Sequence, residues 1–309
     1  GYDLFDARRI SQYGYGRLAN VFTSLEFERM CNAAGPTNGQ VVMRDGVTVP
    51  KSIAIVHCVG SRDKNYNNYC SSICCMQSLK FAHLVHERTG ATTYNFYIDM
   101  RTNAKAYDEF YQHVLEEENS HFIRGRVAEI TDAARRPGEE GKIIVQAEDT
   151  LIGKQRRFPV DMVILSSGMG PAEENKELAE KFGFELNEFG FCKTDMFRPV
   201  ETNREGIYSL GVFNGPKDIP ETVSEASGAA ACAGGVLSSA RGTLVEESPF
   251  RVDGSQEETG DPRIGVFICH CGINISAIVD VKAVADYARG LPGVVYSTNQ
   301  LYACSQDNQ

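Results

Sequence analysis

Four cysteines, Cys58, Cys70, Cys74 and Cys75, are spaced C-x11-C-x3-C-C. As thiolates they are ligands for iron or zinc. A mononuclear zinc needs all four sulfurs about 2.3 Å from one atom, which is hard for the adjacent pair Cys74 and Cys75. A cubane is wider, and each thiolate meets a different iron. The spacing therefore favours a [4Fe–4S] cluster, with zinc, or buried thiols plus a disulfide, as the alternatives. It is not the ferredoxin run. A second set, Cys269, Cys271 and Cys304, is C-x-C plus one distant cysteine, an incomplete set for a cubane. It reads either as part of a second cluster completed from elsewhere or as a reduced dithiol in a packed turn.

The elements around the first set follow from hydrophobic pattern. Residues 52–57 (SIAIVH) are apolar and β-branched, as in a buried strand. Residues 71–87 carry a helical apolar band at Ile73, Met76, Leu79, Phe81, Ala82, Leu84 and Val85. On that helix Cys70 and Cys74, at i and i+4, share a face, and Cys75 lies about 100° round from Cys74. The set then sits at the carboxyl end of a strand, where open α/β sheets bind ligands, and at a helix N-terminus, which favours a net negative cluster.

A strand at 93–100, a helix at 104–117 and extended runs at 122–129, 142–148 and 157–165 complete an α/β domain of nucleotide-binding type over 51–168. Its first turn reads Cys58-Val-Gly60-Ser-Arg62. One glycine cannot supply both the tight turn and the close approach to a pyrophosphate, so no NAD(P)H site is expected. Residues 1–50 read as a connector. Within it, Gly14-Tyr-Gly16-Arg-Leu-Ala19 matches G-x-G-x-x-A but follows no strand, so it reads as a turn, and Thr23 with Glu26 forms a T-x-x-E capping box. Arg62, Asp99, Arg101 and Lys105 form a charged rim at the strand ends.

The 309 residues are 42% hydrophobic and 23% charged, with a net charge of −10. Length suggests two domains, and the acidic balance argues against nucleic acid and membrane surfaces. No apolar run spans a bilayer. Ten cysteines with clustered spacing point to metal ligation in a reducing, cytoplasmic compartment.

The stretch 53–75, with TSLEFERM, YIDMRTNAKAYDEFY, FIRGRVAEI, GPKDIP and GVFICHCGINI, resembles the flavin-containing A subunit of heterodisulfide reductase over nearly the whole chain. That resemblance implies a partial thioredoxin-reductase-like flavoprotein with two dinucleotide-type domains, followed by the start of a second small α/β iron–sulfur domain. It implies FAD beside a [4Fe–4S] cluster on Cys58, Cys70, Cys74 and Cys75. Residues 169–245 resemble the second half of the FAD domain, 246–262 a linker, and 263–309 the opening of a further domain, as in a fused, duplicated member. The turn at Gly168 resembles the return from the inserted domain, and 205–211 the last strand, with Gly211 near the ribityl chain although Val212 stands where an Asp is usual. Lys217, Asp218, Ile219 and Pro220 open a small-residue helix, 221–238, facing the flavin, with Lys217 beside the ring. The implied function is electron transfer between FAD and clusters in a heterodisulfide-reductase-like complex, including flavin-based bifurcation or confurcation. The implied partners are cluster-bearing subunits and hydrogenase- or formate-dehydrogenase-type donors in a homodimeric assembly. An NAD(P)H-dependent disulfide reductase and a flavin-free cluster scaffold are the competing functions.

Overall fold

The computed structural model describes residues 1–117, 119–243 and 260–305. The chain forms two compact units, one of residues 1–29 and 40–243, the other of 30–39 and the residues after 243. In chain order the elements are β1 (Tyr2–Leu4), β2 (Val21–Thr23), α1 (Ser24–Cys31), β3 (Ser52–Val59), α2 (Cys74–Thr89), β4 (Thr92–Tyr97), α3 (Tyr107–Glu116), β5 (Ser120–Arg124), β6 (Val127–Thr131), β7 (Ile143–Asp149), β8 (Lys154–Val160), β9 (Met162–Ser167), β10 (Met169–Pro171), α4 (Asn175–Phe182), α5 (Ile219–Val236), β11 (Ile264–Cys269), α6 (Val281–Arg289) and β12 (Val294–Gln300). The fold class is α/β. The linker expected at 246–262 lies, up to residue 259, outside the described residues.

The first unit is built on a parallel sheet in the order β2-β9-β3-β4-β5. Both faces are covered, which is why β3 and β9 read as continuous apolar runs rather than alternating ones. On one face Leu79, Phe81, Ala82 and Val85 of α2 are buried. On the other, Ala54, Val56, Val163 and Leu165 join one core with Phe5, Ile10, Tyr13 and with Ile130, Val145 and Phe158 of an antiparallel sheet, β6-β7-β8. Residues 1–29, read as part of a connector, thus supply a strand and core side chains. Gly14 and Gly16 take left-handed φ of 70° and 81° in a turn rather than a helix start. The Thr23–Glu26 box forms as expected, with Thr23 N–H donating to Glu26 at 2.9 Å and Glu26 N–H to Thr23 Oγ1 at 3.3 Å.

Three expected elements differ. The run 122–129 is two strands, because the chain turns at Gly125 from the parallel sheet into the antiparallel one. The run 157–165 is likewise divided at Asp161, whose carboxylate accepts the Lys51 and Ser52 backbone N–H groups at 2.8 and 3.1 Å and pairs with Lys142 at 2.5 Å. Residues 205–211 form no strand. They make a single bridge, Glu201↔Tyr208, with hydrogen bonds from Ser209 N–H to Val200 O at 2.8 Å and from Thr202 N–H to Ile207 O at 3.3 Å, too little to build a ladder. A methyl at Gly125 would overlap the Glu148 carbonyl of β7. Gly125→Ala is therefore expected to lower stability by about 1–3 kcal/mol, as overpacking does. Urea unfolding followed by circular dichroism checks it, and an unchanged midpoint would mean the crossover relaxes freely.

The second unit contains a β-α-β motif, with β11 and β12 parallel and α6 packed on both. No helix among the described residues is long and apolar enough to cross a membrane.

Candidate functional site

Cys58 lies near the end of β3, Cys70 in the following loop, and Cys74 and Cys75 on the first turn of α2. The expected i, i+4 pairing of Cys70 with Cys74 on one helix does not occur. Ser72 has φ +58°, in the left-handed region, and a right-handed helix cannot run through such a residue. Ser71, immediately before it, is fully buried, and its hydroxyl accepts the Met169 N–H at 2.9 Å. The anchored loop brings Cys70 in from outside the helix axis.

Among the described residues only six non-glycines have left-handed φ. Cys58 is near the end of β3, Arg62 and Ser72 are in the loop that follows, and Cys271 is in the second cysteine set. Backbone strain of this kind persists where surrounding structure over-determines it, and it gathers at functional sites. The loop is also tied to the sheet by an Arg62–Asp99 ion pair. The hydroxyls of Ser61 and Ser167 are buried here without a hydrogen-bond partner among the described residues.

The thiols act on one another. A hydrogen bond from Cys74, with Arg62 and Arg126 nearby, pulls Cys58 down to about 7 against its burial. The same contact with Cys58, with complete burial, holds Cys74 well above the usual thiol range. Burial, then charge on Cys58 and Cys70, pushes Cys75 up to about 11. Neutral thiols in this enclosure give weak contacts, Cys74 to Ser166 O at 3.9 Å and Cys75 to Asp99 O at 3.7 Å. No three of these sulfurs, among the described residues, lie within 4.8 Å of one another together, whereas a tetrahedral zinc would hold four of them about 2.3 Å from its centre. Cys58 is in contact with Cys74, and Cys75 feels charge on Cys58 and Cys70, so the four thiols share one enclosure; in a cubane each thiolate would bind one iron corner.

A cavity of about 560 Å³ adjoins this loop. One wall is Ser72, Ile73 and Met76, from the cysteine loop and the start of α2; the other is Val212, Lys217, Asp218, Ile219, Pro220 and Thr222. Asp218 caps α5 with a complete box, its carboxylate taking the Glu221 N–H at 2.9 Å and Glu221 returning to the Asp218 N–H at 3.2 Å. The positive end of the α5 macrodipole therefore borders the cavity. Ile73 and Met76, expected in the apolar band of the helix, are only half-buried because they face this space.

The structure thus brings the cysteine loop and the start of α2, through Ser72, Ile73 and Met76, to the 217–220 segment, while the four cysteines themselves do not line the cavity. Gly168 and Gly211 do not line the cavity, but each precedes a residue that does, Met169 and Val212. A methyl at Gly168 would meet Ser71 Oγ at 2.8 Å and Ser61 Cβ at 2.9 Å, so it is small because the cysteine loop lies on it. Lys217 lines the cavity, but its ammonium pairs with Glu225 of α5, which also accepts the Gly211 N–H at 2.7 Å. Sequence reasoning missed Glu225 and also Tyr107, whose hydroxyl donates to Asp218 at 2.5 Å across the cavity rim; no local pattern marks either one.

In the second unit the parallel strands put both carboxyl ends side by side. Cys269 Sγ, at the end of β11, accepts the N–H of Cys271 at 3.3 Å and of Ala303 at 3.4 Å. Cys271 and Cys304 are exposed, so the second set is gathered at one end of the motif without being enclosed.

The chain is 42% identical over 235 residues to the A subunit of the H(2):CoB-CoM heterodisulfide,ferredoxin reductase of Methanothermobacter thermautotrophicus, covering 75% of this chain and 35% of that protein. It is 44% identical over 234 residues to the iron-sulfur A subunit of the CoB--CoM heterodisulfide reductase of Methanocaldococcus jannaschii, covering 74% and 35%. It belongs to the family of heterodisulfide reductase A subunits. A member from Methanosarcina mazei, the A subunit of the ferredoxin:CoB-CoM heterodisulfide reductase, is 36% identical over 292 residues, 92% of this chain and 35% of its own length. The chain spans about a third of the length of these relatives. No family model matches the chain. Among solved structures, the thioredoxin reductase of T. acidophilum aligns with a TM-score of 0.41 and 16% identity over 60% of this chain and 51% of its own.

Proposed function

We propose that this chain is an oxidoreductase module in which FAD and a [4Fe–4S] cluster exchange electrons within a heterodisulfide-reductase-type complex. The observation that carries the reading is the cavity with the cysteine loop on one side and the capped N-terminus of α5 on the other. A flavin converts two-electron transfers to one-electron ones, and clusters carry single electrons onward. Cys58, Cys70, Cys74 and Cys75 would hold the cluster. Val212, Lys217, Asp218, Ile219, Pro220 and Thr222 would bind the flavin, with Gly168 and Gly211 keeping the adjoining turns close. Pro220 has no N–H and the capping box takes those of Asp218 and Glu221, so the Ile219 N–H and the positive end of the α5 dipole would meet electron density on a flavin's polar edge, while Ile73 and Met76 would exclude water from its apolar face.

Cys269, Cys271 and Cys304 would contribute to a second cluster. The relatives' names, which pair a heterodisulfide with ferredoxin or hydrogen, support partner subunits that deliver electrons to this module. Division of flavin electrons between two acceptors, in a cytoplasmic homodimeric complex, belongs to the same proposal. The domain division proposed with it is a cluster-bearing domain over 51–168 and part of a flavin domain over 169–245.

The test is the visible spectrum of the anaerobic protein reconstituted with FAD, iron and sulfide, followed by titration with NADH and NADPH. A bound flavin that either nucleotide leaves oxidised is expected, since Cys58-Val-Gly60-Ser-Arg62 replaces a glycine-rich phosphate loop. Failure to retain FAD would reduce the module to a cluster scaffold. Rapid bleaching by NADH or NADPH alone would make it an NAD(P)H-dependent reductase.

A further inference from the structure

Helix α2 carries a second group of ligand-type side chains beyond the cysteines. His83 lies eight residues past Cys75, about 12 Å along the axis at 1.5 Å per residue. It meets α3, which packs on α2. Each helix supplies a His-x3-Glu pair, His83 with Glu87 on α2 and His113 with Glu117 at the end of α3. Ligand atoms of His83, His113 and Glu117 all lie within 4.8 Å of one another. Bonds of about 2.0–2.2 Å to a zinc-type ion place its donors roughly 3–4 Å apart, so small rotations close this group on one ion.

The environment is that of a built site. The Glu117 side chain is only 6% exposed. One carboxylate oxygen contacts His83 Nδ1 at 2.5 Å, and the other accepts from the Ser120 hydroxyl at 3.3 Å. Ser120 in turn accepts from buried Thr93 at 3.2 Å, the kind of outer partner that orients a metal-binding carboxylate. The edge of Phe110 packs on His83, with ring centroids 5.8 Å apart. Glu117 also caps the C-terminus of α3, the negative end of its dipole, which favours a cation. The contacts of His83 with Glu117 and Glu87 would explain His83 alone. They leave His113 unexplained: that ring stands 5.5 Å from His83 and forms no ion pair among the described residues.

We propose that His83, His113 and Glu117, with water as the remaining donor, bind one divalent transition-metal ion of the zinc type. Two imidazoles and a carboxylate select this class over calcium or magnesium, which take oxygen ligands. The ion would staple the helix bearing Cys74 and Cys75 to α3, whose first residue, Tyr107, holds Asp218 at the cavity rim.

The test uses the anaerobically isolated holoprotein, with iron and sulfide counted before and after so that the cysteine sites are known to be filled. Zinc is titrated by calorimetry into wild type, His113→Ala and Glu117→Gln. His113 is exposed, so its variant tests the site without disturbing the core. One zinc per chain is expected in wild type, bound roughly 10- to 100-fold more weakly in each variant at unchanged iron content. Zinc affinity equal to wild type in both variants overturns the proposal, as does the absence of zinc uptake by wild type up to about 100 μM, a Kd weaker than useful ligation gives.

Discussion

Cys74→Ser or Cys75→Ser is expected to remove roughly one cluster, about four iron atoms, per chain. Both cysteines are buried on the first turn of α2, one against Cys58 and Ser166, the other against Asp99. A serine hydroxyl is a far poorer iron ligand than a thiolate. Both side chains are small and isosteric with serine, so the sheet and helix should persist. Cys192→Ser is the control, because Cys192 is equally buried but is not one of the four converging thiols. Iron and sulfide analysis with electron paramagnetic resonance of the reduced protein reads the result. Iron unchanged in both α2 variants would remove Cys74 and Cys75 from the ligand set.

What could be read from the sequence was whatever is decided within a few neighbouring residues. The run 52–57 had to be a two-sided buried strand, and the Thr23–Glu26 box had to start a helix, because burial and capping are local chemistry. The placement of Cys58, Cys74 and Cys75 followed from those elements. Cys70 did not, because its position depends on a left-handed Ser72 and on the hydrogen bond that the Ser71 hydroxyl accepts from the Met169 N–H, almost one hundred residues on. The division of 122–129 and 157–165 into separate strands was hidden for a similar reason. Gly125 and Asp161 mark where the chain passes between two sheets, and periodicity within one segment says nothing about which sheet it joins. Likewise, Lys217 was expected beside a flavin ring from the resemblance and from its position before a helix cap; it lines the cavity, but its pairing with Glu225, two turns along α5, is a tertiary fact.

That pairing sets the expected response of the flavin. The Lys217 and Glu225 side chains are only 13% and 20% exposed, so their charges act in a poorly screened environment. Paired, they present little net charge to the cavity. With a flavin bound as proposed, Lys217→Met would leave the Glu225 carboxylate near its electron-rich edge, which disfavours the reduced form and lowers its potential. Glu225→Gln leaves the ammonium unopposed, which stabilises the reduced form and raises it, while the amide oxygen can still accept the Gly211 N–H. If each change is worth about 1.4 kcal/mol, a one-electron potential moves by about 59 mV. Each single variant should also lose roughly 3 kcal/mol of stability, because removing one partner strands a buried charge. The double variant should recover much of both effects, since the two residues act as one unit. Spectroelectrochemical titration of the flavin-loaded, cluster-replete protein, alongside urea unfolding, measures all three. Opposite shifts in the single variants with recovery in the double are the expected result; shifts of the same sign, or none, would place the flavin's polar edge away from this pair.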